Sequence, residues 1–244
     1  ILGVDDDTSL SEGVLLMILL DCTLRDGGYY NYWEFDSELV SQYLLAMSRS
    51  GVDVVEIGFR SRVNTGYKGP YAFSTETFLS TLDLEQYDGI AFGVMINASE
   101  FINEDAVSVI NDLFIPKIDS CLSVVRVAAH LNEVESAIPA IKQLIDLGYI
   151  VGLNLMQVGG KDKADVKKAL DKISDLKLAV VYFADSQGNL DQKDVGFWMK
   201  EFRQSWSGEI GFHAHNNTMN AIPNVEVAIT NGIEWLDVTV CGMG

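Results

Sequence analysis

Basic residues are scarce in this chain: 17 Lys and Arg stand against 35 Asp and Glu, a formal charge of −18. Binding to nucleic acid depends on phosphate neutralisation by Lys and Arg, so nucleic acid is not an expected partner. The acid excess reads as a solvated helical surface that keeps the protein soluble. Cysteine is sparse too. Cys22, Cys121 and Cys241 are unclustered, and an odd, scattered set argues against a disulfide scaffold or a structural zinc knot. Reduced cysteines of this kind fit a cytoplasmic protein. Long hydrophobic runs are missing: the apolar stretch from Val14 to Leu20 falls far short of the roughly 20 residues that a spanning helix needs. Asp5, Asp6 and Asp7 precede it, where a secretory signal would carry positive charge. No membrane association is expected. Low-complexity tracts are also absent, and 48% hydrophobic residues argue against disorder.

What is present is a regular alternation. Short apolar runs recur at intervals of roughly thirty residues, the period of a strand, a helix and two loops. They are Ile18–Leu20, Val52–Ile57, Ile90–Ile96, Leu122–Ala128, Ile150–Leu155, Ala179–Ala184, Ile210–His215 and Trp235–Val240. Their Val, Ile, Leu and Phe content suits parallel strands buried on both faces. Between them lie helical stripes. Leu39, Val40, Tyr43, Leu44 and Met47 form one, with Asp36 or Ser37 as N-cap and Gly51 past its end. Val166, Ala169, Leu170 and Ile173 form a second; Val195, Trp198, Met199, Phe202 and Trp206 form a third. Pro139 and Pro223 are expected in first turns, where amide hydrogens lack intrahelical partners.

Eight strands alternating with helices specify an α/β fold with a parallel sheet. A doubly wound sheet is the rival. The even spacing, the eighth strand and the lack of a Gly-rich dinucleotide fingerprint after strand 1 favour a (β/α)₈ TIM barrel, for which about 250 residues is typical. Residues 1–16 read as a leader or tail, with Met17 placed as a native start, and 17–244 as the barrel domain. Gly244 follows strand 8 directly, so the eighth helix is expected to be missing at the C-terminus. Either the chain is truncated there, or a partner subunit (a second copy or another protein) covers strand 8.

In this fold, chemistry sits at the carboxyl ends of the strands. Strand 1 runs into Asp21-Cys22-Thr23-Leu24-Arg25-Asp26-Gly27-Gly28-Tyr29, strand 2 carries Glu56, strand 4 ends at His130, strand 6 at Asp185-Ser186, and strand 7 at His213-Ala214-His215. Alternate side chains share one face of a strand, so His213 and His215 point the same way. Such a pair fits two hydrogen-bonded polar side chains as well as two metal ligands. Closure of the barrel would bring Asp26 to the same arc of the rim, and one carboxylate with two imidazoles can hold Mn²⁺, Mg²⁺ or Zn²⁺. Gly27 and Gly28 would let the backbone approach closely. Arg25 suits a substrate carboxylate or a developing enolate, or a salt bridge to Glu56 on strand 2. The loop 59–74, with Arg60, Arg62, Lys68, Tyr67 and Tyr71, is either a lid that attracts an anion or an ordinary exposed loop.

Asp21-Cys-Thr-Leu-Arg-Asp-Gly-Gly, Arg126-Val-Ala-Ala-His130, Ala184-Asp-Ser-Gln-Gly188, His213-Ala-His-Asn-Asn217 and Val240-Cys-Gly-Met-Gly244 resemble, in order, segments of the metal-dependent 4-hydroxy-2-oxovalerate aldolases. More broadly the chain resembles the DRE-TIM metallolyase superfamily of 3-hydroxy-3-methylglutaryl-CoA lyase and isopropylmalate synthase, from about Met17 to the end. The resemblance implies a divalent cation on Asp26, His213 and His215, an enolate-stabilising Arg25, an acidic Glu56 near the site, and a small 2-oxo acid as substrate. The family's basic histidine after Arg-Asp-Gly is replaced by Tyr29. A tyrosine is a poor base at neutral pH, so Tyr29 must be activated, or His130 or a metal-activated water must take the proton, or the substrate differs.

The expected activity is carbon–carbon lyase chemistry through an enolate. The rivals are an acyl-CoA condensing enzyme of the isopropylmalate synthase type, and a weakly active partner or scaffold subunit. Metallohydrolase barrels typically carry His-x-His on strand 1, which disfavours that class.

Overall fold

Eight parallel strands pair in sequence order and the last pairs with the first, closing a barrel. The computed structural model describes residues 17–242; the expected leader at 1–16 and the final Met243 and Gly244 lie outside the described residues. The strands are β1 (Ile18–Asp21), β2 (Val54–Phe59), β3 (Ala91–Asn97), β4 (Val124–Ala129), β5 (Ile150–Leu155), β6 (Val180–Asp185), β7 (Glu209–Ala214) and β8 (Trp235–Val238). Each agrees with its expected apolar run to within two residues at either end. Helices α1 (Thr23–Asn31) and α2 (Ser37–Met47) follow β1, α3 (Glu76–Leu79) follows β2, and α4 (Ala106–Leu113) follows β3. Then α5 (Val134–Asp146), α6 (Lys163–Ile173), α7 (Gln192–Ser205) and α8 (Ala221–Thr230) follow β4 to β7 in turn, and β8 leads into a 3₁₀ turn at Val240–Gly242. This is the α/β TIM barrel that the alternation predicts.

Both faces of the sheet are buried, which is why the strands read as apolar runs. Leu20, Val54, Val124, Val180 and Trp235 meet inside the barrel near the strand beginnings. Their neighbours Val55, Val125, Val181 and Leu236 point outward into a larger core shared with the helices. Full burial of such side chains contributes about 1.5–3 kcal/mol each. Further along β2, β4, β5 and β8 the inward positions change character, to Glu56, Arg126, Asn154 and Asp237, all buried. The barrel therefore has an apolar plug at one end and a polar interior beneath its carboxyl mouth.

The helices begin where the sequence offers caps. Asp36 accepts from the Leu39 amide, Asp162 from Ala164, and Asp191 forms a capping box with Asp194. Val40 and Leu44 of the first expected stripe are buried, Tyr43 and Met47 are half-buried and Leu39 is exposed; the second and third stripes are buried throughout. Pro223 lies in the first turn of α8 as expected. Pro139 does not: it sits in the interior of α5. Pro139 and Glu135, whose carbonyl loses its i+4 donor, are both on the exposed side, so the lost bond falls where water can replace it.

Candidate metal centre

The segment Asp21-Cys-Thr-Leu-Arg-Asp-Gly-Gly is not a strand-end loop. The Cys22 amide donates to the Val238 carbonyl (2.9 Å), the last tie to β8, and the chain then winds directly into α1. Asp21 starts the turn by accepting from the Thr23 amide (2.8 Å), and Tyr43 of α2 donates to the same carboxylate. Burial, the largest effect, raises the Asp21 carboxyl above its ordinary value despite these bonds. In a helix, positions i, i+3, i+4 and i+7 share a face. Cys22, Arg25, Asp26 and Tyr29 therefore line up together, with Arg25, Asp26 and Tyr29 on the wall of a central cleft of about 410 Å³ at the barrel mouth. Gly27 and Gly28 do not admit the backbone to the site as expected. They lie within α1, and a side chain on Gly28 would run into the Trp33 ring, so this glycine makes room for an indole.

The structure brings Asp26 and His213 together and sets His215 beside His213; the close group of possible ligand atoms among the described residues is Cys22, Asp26 and His213, without His215. His213 Nε2 is 3.0 Å from His215 Nε2 and 3.7 Å from Asp26 Oδ2. His213 Nδ1 lies 2.7 Å from Asp237 Oδ2. An ionised carboxylate only accepts, and Asp237 stays ionised: burial would raise its carboxyl, but Arg126 and His213 outweigh that and hold it well below the ordinary range. The Nδ1 of His213 then donates to it, and Nε2 is the ring nitrogen that faces His215 and Asp26. Carboxylates holding a ligating histidine in this way are a recurrent support of metal sites. Burial likewise acts to raise the Asp26 carboxyl, but Arg25, then His213, keep it below its ordinary value.

Three features fit a divalent cation. Donors about 2.1 Å from one cation, at angles of 90° to 110°, stand roughly 3.0–3.4 Å apart. The two imidazoles meet that spacing, and Asp26 Oδ2 is a few tenths of an ångström beyond it measured from His213, with its other oxygen bound to Arg25. The buried charges around the site are two arginines, Arg25 and Arg126, against three carboxylates, Asp26, Glu56 and Asp237. That set carries one net negative charge, which an added cation offsets. The donor set itself, one carboxylate oxygen and two imidazole nitrogens, suits such ions. Cys22 Sγ, not His215, completes the close group with Asp26 and His213, its ligand atom within 4.8 Å of theirs. Burial, then Asp26, pushes this thiol well above its usual range, and as a neutral thiol it donates to Asp26 Oδ2 at 3.3 Å.

Glu56 does not line the cleft. It is fully buried and bridges two arginines: Arg25 Nε donates to Oε2 (2.7 Å), and Arg126 donates to both oxygens (2.8 and 2.7 Å). Arg126 also grips Asp237 through two bonds of 2.9 and 2.7 Å. A chain of buried ion pairs thus runs from Arg25 through Glu56, Arg126 and Asp237 to His213. The sequence reading passed over Asp237 and did not single out Arg126. The available signal was a charge at an inward position of a run otherwise buried on both faces. Arg25 Nη2 is buried and without a hydrogen-bond partner. Burial acts against the charge on Arg25, but Asp26 and Glu56 outweigh it and hold the guanidinium above its ordinary value.

His130 is corrected. Alternation from Arg126 and Ala128 would turn it inward, but β4 stops at Ala129. The chain then turns, with the His130 amide donating to Glu133 Oε2 and its carbonyl accepting from the Glu133 amide, both at 2.9 Å. The ring joins a separate groove with Lys161, Asp165 and Lys168. Tyr29 stands at the cleft mouth, packed edge-on against Trp33 (4.7 Å). Its side chain is largely exposed, yet desolvation at the cleft raises the phenol above 10, with Arg25 opposing. The basic loop 59–74 is tied down: Arg60 is buried on Glu76 and the Ser74 carbonyl, Arg62 pairs with Glu104, and Lys68 lies over Trp33.

A closed eight-stranded barrel with Asp26, His213 and His215 lining the cleft at its carboxyl mouth defines the class: a TIM barrel with a candidate metal centre. The family description HMGL-like matches residues 93–244, more than half of the chain, and the chain belongs to that family. It is 26% identical over 240 residues to 4-hydroxy-2-oxovalerate aldolase 2 of Nocardia farcinica, covering 96% of this chain and 66% of the relative. It is 23% identical to the oxaloacetate decarboxylase of Mycobacterium tuberculosis, covering 93% and 65%. The chain thus spans just under two thirds of the length of these relatives. Among solved structures, the N-terminal domain of a candidate aldolase from Bacteroides vulgatus superposes with TM-score 0.84 at 30% identity, covering 93% of this chain and 74% of that one. The carboxyl transferase domain of Rhizobium etli pyruvate carboxylase superposes with TM-score 0.74 at 14% identity, covering 95% and 41%, a likeness of fold alone. No helix among the described residues is long and apolar enough to cross a membrane.

Proposed function

We propose that this chain is the barrel domain of a divalent-metal-dependent carbon–carbon lyase that acts on a small 2-oxo acid through an enolate. The observation that carries the reading is His213, held on Asp237 through Nδ1 and presenting Nε2 to His215 at 3.0 Å and to Asp26 at 3.7 Å. These three residues would hold Mn²⁺ or Mg²⁺, with Zn²⁺ also compatible, and the cation would supply Lewis acidity toward the substrate's oxo group.

The chain's own residues supply the rest. Arg25 is fixed in position by Asp26 and Glu56, and its Nη2, 4.0 Å from Asp237 Oδ2 and without a hydrogen bond, would be the charged donor to a substrate carboxylate or to the enolate oxygen. Being preorganised, it needs no reorientation as charge develops. Glu56 is a positioning residue that acts through Arg25. Tyr29, its phenol raised above 10, is protonated at neutral pH and serves as a hydrogen-bond donor over the cleft rather than as a base. The two activities named among the relatives share one fragment. Cleaving a 4-hydroxy-2-oxo acid between C3 and C4, and decarboxylating oxaloacetate, both leave the enolate of pyruvate. A site built on Arg25 and the metal ligands serves that common fragment, and the rest of the cleft decides what leaves.

Asp26→Ala and His215→Ala are expected to abolish metal retention and pyruvate release together, read by elemental analysis and by coupled assay with a 4-hydroxy-2-oxo acid. Full metal occupancy in both variants would defeat the assignment.

A further inference from the structure

Asn154 lies on β5, across the barrel from β1, which leads into Arg25 and Asp26. It is 4% exposed and lines the central cleft, and its Oδ1 has no hydrogen-bond partner. A buried amide oxygen left unpaired is costly, and native structures rarely tolerate one without a ligand or water to meet it. Asn97 and Ser186 add a second amide and a hydroxyl to the same wall, interleaved with Met95 and Met156. This half of the cleft contains no charged side chain; the charges lining the cleft belong to the Arg25, Asp26 and histidine side. Neutral donors and acceptors alternating with apolar surface match a carbon chain bearing hydroxyls, which presents C–H faces and O–H groups in alternation. They do not match a phosphate, a second carboxylate or a plain alkyl chain.

We infer that the fragment exchanged with the 2-oxo acid enolate is an uncharged, hydroxylated aldehyde, and that Asn154 recognises one of its hydroxyls. This rests on the enolate reading above. In the synthetic direction the pyruvate methyl carbon loses one proton and forms a bond to the aldehyde carbonyl carbon. The aldehyde oxygen takes up a proton, and nothing is oxidised or reduced.

The experiment has two arms, both run on the protein loaded with Mn²⁺. In the first, exchange of pyruvate methyl protons in D₂O, followed by proton NMR, reports enolate formation without any aldehyde. In the second, glyceraldehyde and propanal, equal in carbon number, compete as acceptors. The hydroxylated aldehyde is expected to win by about tenfold or more in kcat/KM, and Asn154→Leu is expected to bring the ratio to within about twofold of unity. Exchange without a preference for glyceraldehyde overturns this inference and leaves the enolate reading standing. No exchange with pyruvate or 2-oxobutanoate defeats the enolate reading itself. A wild-type preference that persists undiminished in Asn154→Leu removes Asn154 as the recognising group.

Discussion

Asp237 divides one carboxylate between two partners, Arg126 through two hydrogen bonds and His213 through one. Asp237→Asn would leave Arg126 with a buried charge half paired and would free the His213 ring to take either tautomer. Losing one partner of a buried pair costs about 3–5 kcal/mol, and losing a support of this kind costs about 10- to 100-fold in metal affinity. Both a lowered melting temperature and weaker Mn²⁺ binding by equilibrium dialysis are therefore expected. Unaltered metal affinity would mean that His213 needs no orienting partner. A second residue-scale effect is alkaline. Burial pushes Tyr71 up to about 12, while the unfolded phenol ionises near 10. A folded pKa above the unfolded one stabilises fully below pH 10, and the contribution is lost as pH rises from about 10 to about 12. Stability measured by denaturant titration should fall across that window, and less steeply in Tyr71→Phe.

Among the elements, α1 carries the site and is the least obvious helix. It is nine residues long and contains two adjacent glycines, with no side-chain cap at Cys22. Glycine in a helix interior costs about 1 kcal/mol each, so local propensity opposes what forms. Packing decides it. Tyr32 and Trp33, both at positive φ (60° and 59°), reverse the chain and lay the indole on Gly28, where its Nε1 donates to the Arg25 carbonyl at 3.0 Å. Gly28→Ala would drive a methyl into that ring. Overpacking of this kind costs about 1–3 kcal/mol, and here the displaced element holds Arg25 and Asp26. The expected outcome is a lowered melting temperature with a larger fractional loss of turnover, measured side by side. A stable, fully active variant would show that Trp33 does not position α1.

For the whole molecule, the centre joins the two ends of the described chain: Asp26 follows β1, and the histidines lie at the end of β7, with β8 between them in the ring. A cation held by both arcs, as proposed above, would link them only in the folded state and so stabilise by mass action, about 2.7 kcal/mol at a hundredfold excess over Kd. For a domain of this size that is a rise of roughly 5–11 °C in melting temperature. Mn²⁺ added after chelation should produce it in the native chain and fail to do so in His215→Ala. Equal shifts in both would place the ion elsewhere.

The barrel was legible in the sequence because burial on both faces of a parallel strand leaves a continuous apolar run, and eight such runs at even spacing admit few arrangements. The histidine pair was legible because alternation along a strand is strictly local. Asp26 could be assigned to the same arc only once closure was assumed. The sequence did not show that α1 is a helix, that His130 turns away, or that Glu56, Arg126 and Asp237 form one buried network. The helix and the network depend on packing and pairing that form only when the barrel closes, the network between residues about 30 to more than 100 positions apart. No local period encodes which partner a buried charge will find there.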